Sequence, residues 1–203
     1  MSADIVTADD RRVDNLLGGE DMRGKVLVAY ASLCGSTAEV AEEAAHVLET
    51  HGADVRVCDV DDVRSVQDYS AVVLGTAIRM GRPVKPMRAF IRRHGHEIAE
   101  LPNAVFSVGA TPKDHSPTAI AEAARFVSPV VSAVAPVSVA LFAGKLDPGT
   151  LALPWRALVE HAEPGSRLAA GDWRDWDAID SWADDIAPQL LGETFRRLDH
   201  TDN

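Results

Sequence analysis

Cysteine is scarce in this 203-residue chain, and its scarcity limits the kind of protein the chain can be. Cys34 and Cys58 are too few for the disulfide framework of a small secreted domain. Met1 is not followed by the basic segment and apolar run of a signal peptide. These two absences predict a cytoplasmic protein with reduced thiols.

Long hydrophobic runs are also lacking, so the sequence predicts no transmembrane segment. The longest uncharged stretch, residues 126–144, is interrupted by Pro129 and Pro136, and β-branched residues dominate its second half. This pattern favours a buried strand at residues 134–142 preceded by an approach loop.

Positive charge is in short supply, since the formal net charge is -11. Such an acidic chain is not expected to bind nucleic acid, whose phosphates need a basic surface. Residues 79–96 are the exception, with six Lys or Arg and no acid. No group of His, Cys, Asp and Glu has the spacing of metal ligands, and we expect no metal.

The length and the ordinary content of apolar residues predict one domain with its own core. We expect the domain to span residues 24–191. The polar, acidic residues 1–23 are predicted to form an N-terminal arm, and residues 192–203 a C-terminal tail.

Strands and helices alternate along the predicted domain. Residues 25–31 are continuously apolar after Lys25, as in a strand buried on both faces, and an amphipathic helix from Thr37 ends near Gly52. Further strands are predicted at residues 53–58, 71–75, 104–109 and 134–142. This alternation predicts a doubly wound parallel α/β sheet with helices on both faces and a ligand site at the carboxyl ends of the strands.

The loop of residues 32–37 follows the first strand and opens the first helix, so its N–H groups and the helix dipole converge on one point. It lacks the lysine of a nucleoside-triphosphate loop, and no GxGxxG is present, which favours a phosphate monoester. Two alternatives stay open: Ser36 and Thr37 simply cap the helix, or Cys34 is a phosphatase nucleophile. The second lacks its arginine, because Val40 stands there.

Two more loops are predicted at the same edge of the sheet. Residues 75–83 follow the third strand, and their two glycines permit close backbone approach. Residues 109–115 follow the fourth strand and lead into a helix with Ser116 as its N-cap and Pro117 at its first position.

These loops together resemble those of the flavodoxin superfamily, and specifically of its quinone-dependent protoporphyrinogen oxidase group. The resemblance covers about residues 25–191 and lies mainly in residues 75–81, 106–109, 142–146 and 171–176. It implies a five-stranded parallel sheet of order 2-1-3-4-5. It also implies that the cofactor is flavin mononucleotide (FMN), whose ring performs the redox chemistry.

The resemblance also assigns site residues. The phosphate would lie among Ser32, Leu33, Cys34, Gly35, Ser36 and Thr37. The flavin ring would be bordered by Thr76, Ala77, Ile78, Arg79, Met80, Gly81, Gly109, Ala110 and Thr111. Neither ring-side loop has the Trp or Tyr of electron-carrier flavodoxins, so Ile78, Met80 or Pro112 is expected to pack there instead.

Three functions remain open at this point. The first is an FMN oxidoreductase that oxidises protoporphyrinogen IX and passes electrons to a quinone. The second is a non-enzymatic electron carrier between protein redox partners, and the third is a degenerate interaction module. Arg79 is the candidate contact for an anionic substrate such as a porphyrinogen.

A cationic face is predicted on the helix that follows the second loop, with Lys85, Arg88, Arg92 and His96 on one side and apolar residues on the other. It is either a solvated face paired with local acids or a surface for an anionic substrate or peripheral membrane contact. His94 falls on the apolar side and is expected to be buried. Trp176 and Trp182 are expected to pack in the core.

Overall fold

The computed structural model describes residues 24–110, 116–150, 153, 155–162 and 169–192. Residues 1–23, predicted as an arm, lie outside the described residues, as does the predicted tail after residue 192.

Strands and helices alternate through the described residues. The strands are β1 (Lys25–Ala31), β2 (Asp54–Asp59), β3 (Ala71–Arg79), β4 (Arg82–Pro83), β5 (Asn103–Gly109), β6 (Ser138–Ala143), β7 (Lys145–Leu146) and β8 (Gly171–Asp172). The α-helices are α1 (Ser36–Thr50), α2 (Lys85–Ala99), α3 (Pro117–Val134), α4 (Trp155–Glu160) and α5 (Trp176–Leu191), and a 3-10 turn spans Pro148–Thr150.

Five parallel strands form the main sheet in the order β2-β1-β3-β5-β6. Without the short β4 this is the predicted order 2-1-3-4-5, so the flavodoxin-like fold is confirmed. β4 adds a sixth, antiparallel strand beside β3, and β7 pairs with β8 in a separate two-stranded sheet. Neither addition was predicted, because each strand has only two residues and no periodicity to detect.

Each face of the sheet is covered by its own pair of helices. Val26 and Val28 of β1 belong to the core cluster that contains residues of α1 and α5. Leu27 and Ala29 belong to the opposite cluster, with residues of α2 and α3. This two-sided burial explains why β1 is an unbroken apolar run rather than an alternating pattern.

The predicted fifth strand is wrong at its beginning, since β6 starts at Ser138 and the residues up to Val134 belong to α3. The helix continues through Pro129 although proline has no N–H to donate to the carbonyl of Arg125. The Ser128 hydroxyl donates to that carbonyl instead, at 2.9 Å. Val127, Val130 and Val134 are buried at helical spacing, so core packing outweighs the proline signal.

Two aromatic predictions have different outcomes. Trp182 packs against the core, edge-on to Phe106 and Phe142, and its indole N–H donates to Ser138 Oγ. The prediction for Trp176 is wrong: its side chain is exposed, and the Arg174 guanidinium lies 4.6 Å from its ring centroid. Trp176 is the first residue of α5, and the buried residues of this helix begin at Ile179. Trp176 therefore lies before the part of the helix that packs on the sheet. His94 is buried as predicted, 5.0 Å from the Phe90 ring.

Gly75 has a packing role that differs from the predicted one. It lies inside β3 rather than in a loop, and a methyl group on its Cα would lie 2.2 Å from Cζ of the fully buried Phe106. The missing side chain therefore makes room for an aromatic ring of the core and not for a ligand.

Gly75→Ala is expected to lower the free energy of unfolding by about 2–3 kcal/mol, because the new methyl overlaps a ring that has nowhere to move. Urea unfolding measures this loss. In the Gly75→Ala/Phe106→Leu double variant the smaller side chain should make the two costs less than additive. Wild-type stability of Gly75→Ala would contradict this account of the packing.

Candidate functional site at the carboxyl edge of the sheet

The carboxyl ends of β1, β3 and β5 lie side by side. Ala31 is paired with Thr76, and Ala77 with Val108, so the segments that leave these strands emerge at one edge. The structure thus brings together residues 32–37, residues 76–81 and Gly109 with Ala110. Thr111, Pro112 and His115 of the third loop lie outside the described residues.

The first loop ends at Gly35, the N-cap of α1, whose φ of 92° is a left-handed value that glycine adopts without strain. The Gly35 N–H donates to Ser32 Oγ at 3.0 Å, which closes the loop on itself. No side chain caps α1, whereas Ser116 and Asp175 cap α3 and α5. The capping alternative for Ser36 and Thr37 is therefore wrong, and the dipole at the start of α1 faces the strand edge without a capping side chain.

The side chains of this loop differ in exposure. Thr37 is buried, Ser32, Cys34 and Ser36 are half-buried, and Leu33 is 48% exposed. Cys34 is a free thiol. The hydroxyl groups of Ser32, Ser36 and Thr37 thus lie at the helix start, and the large apolar side chain of Leu33 is exposed beside them.

The second segment is a β-hairpin rather than an irregular loop. β3 continues to Arg79, which pairs with Arg82 across a turn made by Met80 and Gly81. Both turn residues have positive φ, 50° and 75°, the pattern of a type I′ hairpin turn. Met80 is 80% exposed, and a methyl on Gly81 would lie 3.0 Å from the Phe126 ring of α3. The hairpin is held against α3 with Met80 at its tip.

Two glycines, Gly109 and Gly144, lie where the third segment and the end of β6 pack closely against the other two segments. A methyl on Gly109 would lie 3.4 Å from Ile78 Cβ, in ordinary contact. A methyl on Gly144, which follows β6, would lie 3.3 Å from Ser36 Oγ and 2.8 Å from Val108 Cγ1. Gly144 was not among the predicted site residues, although it directly follows β6 at the same edge, where Gly109 ends β5.

A buried arginine beside the first loop was also missed. Arg174 Nε and Nη2 donate to the two carboxylate oxygens of Asp172 at 2.8 and 2.6 Å, and Nη1 donates to Glu39. The hydrogen bond from Arg174 holds the pKa of Asp172 below its usual value, and the bond to Asp172 raises the pKa of Arg174. Arg174 lies in a segment that carries the family resemblance, but nothing in the sequence pairs it with Glu39, 135 positions away.

The cationic face predicted on α2 is present. Lys85, Arg88, Arg92 and His96 are exposed, whereas Met87, Phe90 and Ile98 are buried. We call residues 79–96 the basic stripe. Within the described part of the chain, Lys85, Arg88 and Arg92 form no ion pair with an acid.

Neither a metal centre nor a membrane span is found where the structure describes the chain. No three His, Cys, Asp or Glu side chains there are grouped to hold a metal ion. None of the helices in these residues has the length and hydropathy needed to cross a bilayer.

The fold and the edge described above define a protein of the flavodoxin type. Residues 27–162 match the sequence profile of the flavodoxin domain family, and the chain belongs to that family. Flavodoxin from Pseudomonas aeruginosa, as a single-residue variant, is similar with a TM-score of 0.51 and 15% identity, covering 83% of this chain and 99% of that one. Rubredoxin oxygen:oxidoreductase from Desulfovibrio gigas gives 0.52 and 13%, covering 86% and 38%.

Protoporphyrinogen IX dehydrogenase (quinone) is the name of two similar sequences. The Escherichia coli protein is 28% identical over 108 residues, 51% of this chain and 60% of that protein. The Leishmania major protein is 26% identical over 179 residues, 80% of this chain and 74% of that protein. The chain thus spans about three fifths of the length of the Escherichia coli relative.

Proposed function

We propose that the chain binds FMN at the carboxyl edge of its sheet and is an oxidoreductase of the protoporphyrinogen dehydrogenase type. The observation that carries the proposal is the start of α1, where the Gly35 turn leaves the helix dipole without a side-chain cap. A phosphate monoester fits such a helix start, because its charge meets backbone N–H groups and the positive end of the dipole.

The residues present fit the whole cofactor. Ser32, Cys34, Gly35, Ser36 and Thr37 would hold the phosphate. Thr76 to Gly81 and Gly109 to Thr111 would border the ring, and exposed Leu33 and Met80 offer it apolar surface. Bound FMN would supply the capacity to accept electrons from a reduced substrate and pass them on.

The names of the relatives support a porphyrinogen as electron donor and a quinone as acceptor. A porphyrinogen carries propionate groups, and Arg79 ends β3 at the proposed flavin edge with an exposed side chain. Arg79 would bind a propionate and orient the substrate against the ring. Arg82 and Lys85 follow closely in the chain and would add to the attraction of an anionic substrate.

Flavin binding is tested with Thr37→Val, which keeps the shape of a buried side chain at the helix start but removes its hydroxyl. The unchanged protein should retain a flavin spectrum after free FMN is removed. The variant should bind FMN roughly tenfold more weakly in a fluorescence titration, because a hydrogen bond to a charged group is lost. Riboflavin, which has no phosphate, should bind both proteins equally.

Thr50→Val is the matched control, since it makes the same change at the far end of α1. It should leave the affinities for FMN and riboflavin unchanged. If the unchanged protein retains no flavin, the cofactor proposal is wrong. Equal losses in both threonine variants would show that helix stability and not phosphate binding is measured.

Arg79→Ala is expected to raise KM for protoporphyrinogen roughly three- to tenfold with a quinone as acceptor, because an ionic contact to the substrate is removed. The dissociation constant for FMN should not change. Arg64→Ala removes the same charge from an exposed position outside the basic stripe and serves as the control. Unchanged kinetics in Arg79→Ala would exclude the substrate contact.

A non-enzymatic electron carrier is the second candidate, and the net charge of -11 favours it, because an acidic surface docks to basic reductases. The two functions differ in what they need. An enzyme turns over porphyrinogen with a quinone alone, whereas a carrier transfers electrons only when a protein reductase is added. A protein that binds flavin but does neither would be an interaction module.

In this proposal the protein works in the cytoplasm and reaches a membrane quinone by peripheral contact of the basic stripe with anionic lipid.

Arg88→Gln/Arg92→Gln should lower the affinity for phosphatidylserine vesicles, measured by co-sedimentation, about tenfold or more, since each cation near such a surface contributes about 1 kcal/mol. Arg56→Gln/Arg64→Gln is the control for net charge. Equal binding to phosphatidylcholine vesicles would contradict an electrostatic contact.

A further inference from the structure

Arg174 is a buried cation held between two carboxylates. It lies between β8 and α5, its side chain is 6% exposed, and its guanidinium reaches both Asp172 and Glu39. The other flank of the guanidinium faces the Trp176 ring. A bidentate pair with a second carboxylate and a ring contact fixes the orientation of the cation far more firmly than one exposed ion pair does.

Glu39 places one of these carboxylates beside the first loop. It belongs to the first turn of α1, and its Oε1 lies 3.8 Å from the point that a Cβ on Gly35 would occupy. The β7–β8 pair meets the same loop from another side, because Trp173 N donates to the Gly144 carbonyl and Gly144 adjoins Ser36. Arg174 thus links this strand pair to the helix start next to Gly35.

A carboxylate in the first turn is favourable for the helix alone, because it complements the dipole. It would become unfavourable with a phosphate bound at the same helix start, since two negative charges would then share that site. Asp172 adds a further negative charge nearby, and Lys145, paired with Asp172 in register, offsets part of it. The charge of Arg174 is the one that meets Glu39 directly.

We propose that Arg174 is a positioning residue of the phosphate site, which neutralises Glu39 and holds it beside Gly35, and thereby sets the affinity for the phosphate of the flavin rather than for its ring. This inference rests on the proposed binding of FMN. It predicts that the effect of Arg174 depends on phosphate charge, on ionic strength and on the presence of Glu39.

Arg174→Met keeps much of the side-chain volume and removes the charge. At low salt it should weaken FMN binding about tenfold, because Glu39 then faces the phosphate unpaired, and leave riboflavin binding unchanged. In roughly 1 M salt, where the screening length is about 3 Å, the FMN deficit should largely disappear. Arg156→Met, which breaks the exposed pair with Glu160 on α4, should affect neither ligand.

Three further variants separate the effect of charge from that of side-chain shape. Arg174→Met/Glu39→Gln should regain FMN affinity to within about twofold of the unchanged protein, because the repelling carboxylate is gone. Arg174→Lys should lose less than Arg174→Met, since it keeps the charge but not the bidentate geometry. Glu39→Gln alone, which keeps Arg174 in place, should bind FMN as tightly as the unchanged protein or more tightly.

Several outcomes would overturn the inference. FMN and riboflavin losing affinity equally in Arg174→Met would show that Arg174 supports the fold rather than the phosphate site. A salt-independent deficit in Arg174→Met would exclude the charge argument. Weaker FMN binding in Glu39→Gln would exclude it as well, even if Arg174→Met does not fold. An unchanged protein that binds no FMN refutes the proposed function as well, whereas normal FMN binding by Arg174→Met refutes this inference alone.

Discussion

Burial of the parallel sheet on both faces is the constraint on which the rest of the molecule depends. Because β1, β3 and β5 are covered by helices above and below, the chain must cross over the sheet between strands, and the parallel direction of these strands brings their carboxyl ends to the same edge. The loops at that edge carry polar side chains and, at Gly35, Met80 and Gly81, positive φ angles. The start of α1 and the β3–β4 hairpin lie there for this reason.

An acidic protein that binds an anion must keep its own carboxylates from competing with it. The described residues do this locally rather than by a general excess of cations: the dipole of α1 faces the strand edge, and Arg174 engages both Glu39 and Asp172 nearby. A separate group of exposed cations, Lys85, Arg88, Arg92 and Arg93, lies on α2, on the opposite face of the sheet from α1. In the proposed function the two features would therefore act on different anions, one on a bound phosphate and the other on a group that approaches from outside.

Sequence patterns were sufficient wherever one physical signal dominates. The apolar run of β1, the Ser116 cap of α3 and the amphipathic pattern of α2 each identified their element. They failed where a contact that the pattern does not show decides: the Ser128 hydroxyl compensates for Pro129 within a helix, Phe106 determines that Gly75 is glycine, and Arg174 meets Glu39 only in the folded chain. The edge of the sheet was predictable from topology, but the contacts that shape the site at that edge were not.

The β3–β4 hairpin shows how such contacts can impose a strained conformation. A left-handed backbone angle costs a residue other than glycine about 1 kcal/mol or more, and Met80 has neither a short polar side chain nor burial to offset it. The angle is maintained from both sides, by the pairing of Arg79 with Arg82 and by the contact of Gly81 with Phe126. The surroundings thus hold an apolar side chain outward at the strand edge. In the proposed function, this flexible thioether would be suited to cover the flavin ring.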